Sequence, residues 1–586
     1  MKNILLMNIF SKIWNLIKRY YAVSVISIIC LYLFLPYRIY SFIDPSLQRE
    51  ENWILSLFVI SMFLLILLIQ SKKKYIVFNK LDVYIIVFFI YVFIRSWGNL
   101  ELITFTNLTI LCMLYIIIRI MKPIYTLFLI FLIILSTYLQ IIIGYERLPY
   151  QWNTLADVTG VYFNSGILGC QIAIAMLSVL IFNIYWCLSR YIVAFSFLLL
   201  LIPLIYADSR ASWLSLLISI SYIVQKRWFS SNGFCKKYWF LMMFLLLVLL
   251  ILLFSYKIPS AQGRLYIWFI SLQSSMDNIL LGSGMDSFQA YYMSWQEAFF
   301  RANPDSNFSY LADEVTVPYN EFLKMYVENG LIGFVLLGIL VFNIFKIKNT
   351  LVCRKKYAML SKGILLCIFS FSFFSYPFSY VQFRFWAIVS LALLASSLHS
   401  EYRIHLSSNA SMKLIRYGVL FLGGVFLYQR YNYFQIEKSW NIAMYSFPTE
   451  KVQSINCMQQ ISERLSENSF FLSSYAAMRK VNGEYDEAIR LYKKSLEYKS
   501  SYYTYIELGK CCQLNGENEN ALECWKTASF MIPSRFLPVF LCAKLYLNSG
   551  DLDKAQKLKK ILLHKKRKVD APEIDRMLLE LATEGI

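Results

Sequence analysis

Histidine is nearly absent: His399, His405 and His564 are all that 586 residues hold. Charge is scarce as well, with Asp, Glu, Lys and Arg making up 16% of the chain against 58% hydrophobic residues. The twelve cysteines form no C-x-x-C pair, so their spacing implies neither a metal site nor a disulfide framework. A soluble fold of this length does not need so much apolar surface. Apolar runs of about 20 residues, enough to cross ~30 Å of hydrocarbon, recur through the first ~430 positions. The chain reads as a polytopic membrane protein. Its net charge of +21 would suggest nucleic acid for a soluble chain, but here it sits mostly in lysines beside the spans. Nucleic acid is therefore not expected as a partner.

About thirteen spans are expected. They centre on Ile29, Phe63, Ile90, Leu111, Leu132, Ala175, Leu199, Ile218, Leu247, Gly338, Phe369, Ser390 and Phe421. Lysine is missing from alternate connections. "SKKKYIVFNK" (71–80), "QKRWFSSNGFCKK" (225–237) and "KIKNTLVCRKK" (346–356) are strongly basic, whereas the connections around Asp44, Gly98, Gly144, Asp208 and Tyr380 hold only isolated arginines. Lysine and arginine collect on the cytoplasmic side. The N-terminus is thus expected in the cytoplasm, with the C-terminal region outside. No small-residue cleavage site follows the first span, which reads as an anchor rather than a removed signal.

Long apolar runs vanish after residue 430. In their place comes a repeat: "NGEYDEA" (482–488), "NGENENA" (515–521) and "SGDLDKA" (549–555), with Ala488, Ala521 and Ala555 spaced 33 and 34 residues apart. This is similar to the tetratricopeptide period. Tyr505, Leu508, Gly509, Ala521, Trp525, Ala528 and Pro533 fall at that consensus's packing positions. The expected class is all-α: a membrane helical bundle over 1–430, then a soluble tetratricopeptide α-solenoid over 431–586. Stacked helix pairs of this kind offer a concave face to a protein or glycan partner. Cys511 and Cys512 are expected in or beside a helix core.

Only one outer connection in the membrane part is long, about 256–328, and chemistry is expected there. "GRLYIWFISLQSSMDNILLGSGMDSF" (263–288) places Arg264 and Trp268 on an amphipathic helix before Gly282 and Gly284. "VPYNEFLKMYVENGLIG" (317–333) carries Tyr319, Asn320 and Glu321 into a span. Such segments can lie flat at a membrane surface, apolar face down. Upstream, Arg210 stands between two apolar stretches in "YADSRASWLSLLISISYI" (206–223). An arginine so close to hydrocarbon marks a functional site by default.

Taken in order, these pieces resemble the O-antigen ligase and polymerase family, bacterial membrane enzymes that include protein O-oligosaccharyltransferases. The resemblance runs over about 150–400: "TGVYFNSGILG" (159–169), the serine–arginine span opening, the Gly-Arg helix with its tryptophan and G-x-G, and N-x-x-L before a Gly-Leu-Ile-Gly entry. It implies transfer of a glycan from a polyprenyl pyrophosphate carrier to an acceptor hydroxyl at the outer leaflet, with no cofactor and no metal. The acceptor would be a lipid A–core sugar, a growing glycan or a protein side chain. Arg210 and Arg264 are the residues expected to hold the carrier's phosphates, since a guanidinium forks onto phosphate oxygens and stabilises charge that develops there. Arg147 and Arg384 are further substrate-binding candidates, with Asn320 and Glu321. Members of the family commonly carry histidine where this chain has Tyr319. With histidine absent from the outer connections, three readings stay open: Tyr319 positions the acceptor, Glu321 or another loop carboxylate takes its proton, or the reaction needs little base assistance.

Two other classes compete. Asp44, Glu50 and Glu51 in "DPSLQREENW" could hold a divalent cation, but no compact D-x-D stands in that loop. A flippase or other transporter for lipid-linked sugars would show an internal repeat or charges at mid-membrane depth. The chain has no repeat between its halves, and the informative charges cluster at one face.

Overall fold

The computed structural model describes residues 75–96, 102–147, 162–186, 189–228, 258–347, 351–405 and 409–583, apart from a few positions within them. The spans expected at Ile29, Phe63 and Leu247, and the acidic trio Asp44, Glu50 and Glu51, lie outside these residues. The described chain begins with strand β1 (Tyr75–Phe78) and helices α1 (Lys80–Ser96), α2 (Leu102–Ile120), α3 (Pro123–Arg147), α4 (Ser165–Trp186), α5 (Arg190–Tyr206) and α6 (Arg210–Trp228). Next come α7 (Ile258–Ser274), α8 (Ser287–Ala302), α9 (Glu321–Lys346), α10 (Lys355–Ser372), α11 (Val381–Ser397), β2 (Tyr402–His405) and α12 (Asn409–Ser446). The tail follows as α13 (Lys451–Ile461), α14 (Ser469–Val481), α15 (Tyr485–Tyr498), α16 (Tyr502–Leu514), α17 (Asn518–Met531), α18 (Leu537–Asn548), α19 (Leu552–His564) and α20 (Pro572–Thr583).

Helices dominate, as expected. A short two-stranded ribbon accompanies them: β1 pairs antiparallel with β2, Tyr75 opposite His405 and Phe78 opposite Tyr402. Aromatic and β-branched residues in "YIVF" and "YRIH" favour extended backbone once two connections lie side by side. Among the described residues, three helices are long and apolar enough to cross a membrane, Pro123–Ile142 within α3, α4 and α9. Helices α5 and α11 are apolar but shorter, and so is α18, which belongs to the tail.

The chain divides into two compact units. The first holds Met1–Tyr256, Tyr319–Phe322 and Gly333–Gln435. Its centre is α4, apolar all round and buried on every side, as such a helix must be. Small residues let its neighbours come close. A Cβ on Gly169 would stand 2.9 Å from the Ser212 hydroxyl of α6, and one on Gly363 of α10 would stand 3.0 Å from Ile181 of α4. Ser212, Ser215 and Ser219 form a fully buried stripe down α6, their hydroxyls bonded to Gly166, Ser212 and Ser215 carbonyls. Such small and hydroxylated contacts are how helices associate where no water drives them together. By contrast α5 leaves Ile192, Phe195, Leu199 and Ile202 exposed.

Contacts sort the helix ends of this unit into two sets. At one end Asn79 donates to the Ala395 carbonyl, Leu351 to Ser397, Lys362 to Ile347, and Lys356 lies over the Trp186 ring. Lysine concentrates there. Also at this end, the buried Asp82 accepts from the Asn79 amide, the Tyr115 phenol and the Nε and Nη2 of Arg119. At the other end Asn164 meets Tyr376, Ser212 meets Gly166, and Glu321 meets Phe378. The grouping follows the alternation of lysine-rich and lysine-free connections.

The second unit holds Lys257–Pro318, Leu323–Ile332 and Ile436–Ile586, so the long connection, expected as part of the membrane domain, groups with the tail. The tail repeats a helix hairpin three times: α14–α15, α16–α17 and α18–α19. Each first helix ends in the same left-handed glycine, Gly483, Gly516 or Gly550. The following amide then bonds five positions back, Glu484 to Arg479, Glu517 to Cys512 and Asp551 to Tyr546. This is the Schellman helix stop, which explains why "NG" and "SG" mark the repeat. Gly509 is required by Trp525, whose indole occupies the space a Cβ would take and donates to the Ile506 carbonyl. Ala488, Ala521, Ala555, Cys511 and Cys512 are all buried.

The tail surface expected to take a partner is used in part by the chain's own connection. Helix α8 lies on α17, with the Gln296 amide donating to the Met531 and Asp313 carbonyls at 2.6 and 3.1 Å. Ser500 donates to the Ala290 carbonyl, and Arg301 covers the Phe530 ring at 5.1 Å. Further on, Asp313 is gripped by Arg535 at 3.1 Å and Lys568 at 3.2 Å. Burial opposes its ionisation, but the Glu314 amide, Lys568 and Arg535 outweigh this and hold the carboxyl below its ordinary value.

Candidate functional site

The lysine-poor end of the first unit collects the starts of α4, α6, α9 and α11. Helix starts present unpaired N–H groups and the positive end of the helix dipole. Two asparagines cap them. Asn164 Oδ1 accepts from the Ile167 amide at 3.2 Å, and Asn320 Oδ1 from the Phe322 amide at 3.0 Å. Asn164 also donates through Nδ2 to the Tyr376 phenol at 2.8 Å, so one side chain caps α4 and holds the turn before α11.

That turn is a patch of tyrosines. Tyr376 packs edge-on to Tyr319, with ring centres 5.2 Å apart, and lies nearly parallel to Tyr380 at 6.0 Å. Tyr380 in turn meets the buried Tyr162 edge-on at 5.5 Å. Burial, then Tyr376 and Tyr319, push the Tyr380 phenol well above its usual range, so it stays protonated. Tyr319 itself holds a left-handed backbone at φ 53°, a conformation uncommon outside glycine. Such local strain is characteristic of binding and catalytic positions.

Glu321, the first residue of α9, accepts the Phe378 amide at 2.8 Å. The carboxylate thereby fastens α9 to the tyrosine turn. Arg384, one turn into α11, donates Nε to the Phe378 carbonyl and closes the same turn from its other side. Arg210 opens α6 directly after Ser209 and is half-buried. The Ser209–Ser212 hydroxyl pair, 2.7 Å apart, rests against Gly166 and Gly169, which is why "NSGILG" carries two glycines.

Five of the sequence-expected residues, Arg210, Tyr319, Asn320, Glu321 and Arg384, therefore belong to one end of one unit. Arg147 ends α3; only its backbone is among the described positions. Arg264 is half-buried on α7 and belongs to the second unit, where Trp268 of the same helix donates to the Pro318 carbonyl at 2.8 Å. Sequence reasoning passed over Tyr376, Tyr380 and Tyr162, because tyrosine is common in this chain and nothing local distinguishes these three. Asn164 lay within a noted motif, but its partner is 212 residues away.

The G-x-G and "ENGLIG" elements explain each other within the second unit. Helix α9 breaks at Gly330, at φ 66° and ψ −168°. The freed groups are satisfied by the 279–284 turn: Ser283 and Gly284 donate to the Val327 and Glu328 carbonyls, while Leu331 donates to the Ile279 carbonyl at 2.8 Å. A Cβ on Gly282 would stand 2.5 Å from the Gly330 nitrogen, so two backbones cross where only glycine fits. A broken helix is tolerated where such replacement partners satisfy the freed backbone groups.

Among the described residues no group of three His, Cys, Asp or Glu side chains is placed to hold a metal ion. The end of the first unit gathers helix starts, arginines and aromatic faces.

A family model described as O-antigen ligase matches residues 195–338, the stretch from α5 into α9 that contains Arg210, Arg264, Tyr319, Asn320 and Glu321. The match supports a ligase-like stretch within the chain. Among curated proteins none matches. Among solved structures the chain is similar to the crystal structure of the yeast Tom70, at 10% identity, over 86% of this chain and 96% of that one, with a TM-score of 0.23. A score that low establishes no common fold.

Proposed function

We propose that the chain transfers a glycan from a polyprenyl pyrophosphate carrier to an acceptor hydroxyl at the outer face of the bacterial plasma membrane, as an O-antigen ligase does. The observation that carries this reading is the ligase match over 195–338, which includes Arg210, Tyr319, Asn320 and Glu321 of the lysine-poor end. That end faces outward if lysine marks the cytoplasmic side.

In the reaction the bond from the sugar's anomeric carbon to phosphate oxygen breaks, and its electrons leave with the polyprenyl pyrophosphate. The acceptor oxygen bonds to that carbon, and its proton passes to the departing pyrophosphate or to water. Arg210 meets the charge that grows on the leaving diphosphate, aided by the starts of α4, α6 and α9. Arg264, on the second unit, is proposed as a phosphate-binding residue in its own right. Tyr319 and Tyr376 offer ring faces on which a sugar stacks, and Tyr319 positions the acceptor. Glu321, bonded to the Phe378 amide, fixes the distance between Tyr319 and the tyrosine turn. If leaving-group departure runs ahead of attack, as in oxocarbenium-like transfers, phosphate stabilisation matters more than a base. The hairpin tail is read as a tetratricopeptide-like module.

The test uses the full chain in lipid nanodiscs with a polyprenyl pyrophosphate-linked glycan, reading release of polyprenyl pyrophosphate and a mass gain on the acceptor. Arg210→Ala and Arg264→Ala are each expected to abolish transfer while the protein stays inserted and abundant. Undiminished product from both removes the mechanism, and movement of donor across the bilayer with no new glycoside indicates a flippase. The surface glycans of a deletion strain separate the acceptors. Loss of all long-chain lipopolysaccharide indicates a ligase, a single repeat left on the core a polymerase, and bare glycoproteins a protein O-oligosaccharyltransferase.

A further inference from the structure

Helix α7 has two faces of opposite fate. Tyr266 and Ile270 are 2% and 1% exposed, packed under α8 and the 307–310 turn. Leu265, Phe269, Leu272 and Met276 are 50%, 48%, 43% and 61% exposed. Their spacing of four, three and four residues places them on one stripe of the helix and its following turn. Ile258 extends the stripe at one end and Leu280 at the other, both exposed. A continuous apolar stripe on a monomer's surface marks a contact.

The position of its far end identifies what it contacts. Ile279 and Leu280 accept backbone hydrogen bonds from Leu331 and Ile332, the residues at which α9 resumes after the Gly330 break. Helix α9 is one of the three described helices able to cross a membrane, and Leu331 opens its apolar half. The stripe therefore ends at the level where the chain enters hydrocarbon. We infer that α7 lies flat in the membrane surface, with Leu265, Phe269, Leu272 and Met276 sunk among the acyl chains of the leaflet that α9 enters at Leu331. The other face of α7 carries α8, and α8 carries the hairpin tail, so the second unit rests on the lipid through this helix. Arg264 then sits beside the stripe at headgroup height, where a carrier's phosphates lie.

The experiment introduces a photoreactive diazirine amino acid at Leu272, Met276 or, as the buried control, Ile270. The full chain is placed in nanodiscs of phosphatidylethanolamine and phosphatidylglycerol, irradiated and weighed intact. Phospholipid adducts at 272 and 276 with none at 270 are expected. Adducts of water alone at 272 and 276, or links to a second copy of the chain, overturn the inference. The readout is a covalent lipid mass, so it is independent of whether the protein transfers glycan.

Discussion

Asn164 donates its amide to the Tyr376 phenol at 2.8 Å, joining two helix ends 212 residues apart in the chain. The same side chain caps α4, and the same phenol ring packs against Tyr319. One hydrogen bond thus links a helix start to the tyrosines beside it. If these rings seat the acceptor, Tyr376→Phe keeps the stacking and loses only this bond. Its stability cost is expected at about 1 kcal/mol, while turnover falls about tenfold or more. Tyr319→Phe is the companion: retained turnover excludes that phenol as the base. Thermal unfolding and transfer rate, measured on the same preparations, separate folding from chemistry.

Arg210→Lys tests what kind of positive charge the site needs. Lysine keeps the charge but replaces a planar fork with a point donor. If Arg210 grips a diphosphate through two parallel bonds, turnover is expected to fall about tenfold even at saturating donor, since leaving-group charge is greatest in the transition state. A rate equal to that of the parent would mean that Arg210 acts only as a distant charge.

Much of this arrangement was legible because it is written locally. Alternation of lysine-rich with lysine-free connections sorts helix ends as the contacts do, and the "NG" stops and spaced alanines mark the hairpins. Glycine pairs signal close approach, though which backbone approaches is not written beside them: Gly282 meets Gly330, 48 positions on. The tyrosine turn was illegible for the same reason, since Tyr162, Tyr319 and Tyr376 meet only through long-range packing. The docking of α8 on α17 was also hidden. Gln296 reads as an ordinary polar residue on an amphipathic helix, until it is found buried and bonded to the Met531 carbonyl.

Gly330→Ala isolates the backbone crossing. Its φ of 66° with ψ near −168° is a region open essentially to glycine alone, and a Cβ there collides with the Leu280 carbonyl. A loss of about 3 kcal/mol or more is expected, with early proteolysis in the 279–284 turn. Gly338→Ala, in the same helix with no atom within 4 Å of the added carbon, is the control. It should leave stability unchanged or raise it by up to about 1 kcal/mol. Equal behaviour of the two variants would contradict the crossing.

The grip on Asp313 gives a pH dependence of definite sign. Its carboxyl is held below the ordinary value in the folded protein, so the unfolded chain takes up its proton first as pH falls. The stabilisation is therefore fully present above the unfolded-state pKa and is lost as pH drops through the folded-state value. Asp313→Asn removes the charge at every pH. At neutral pH the parent is expected to be more stable than the variant by about 0.5–1 kcal/mol, because the pair with Arg535 is half-exposed and screened by water. The gap in unfolding temperature should close in acid, below the usual aspartate range, and narrow in high salt at neutral pH. A gap that persists unchanged in acid, once pH is below the folded-state value, would place the effect in packing and leave the ionic grip without a role.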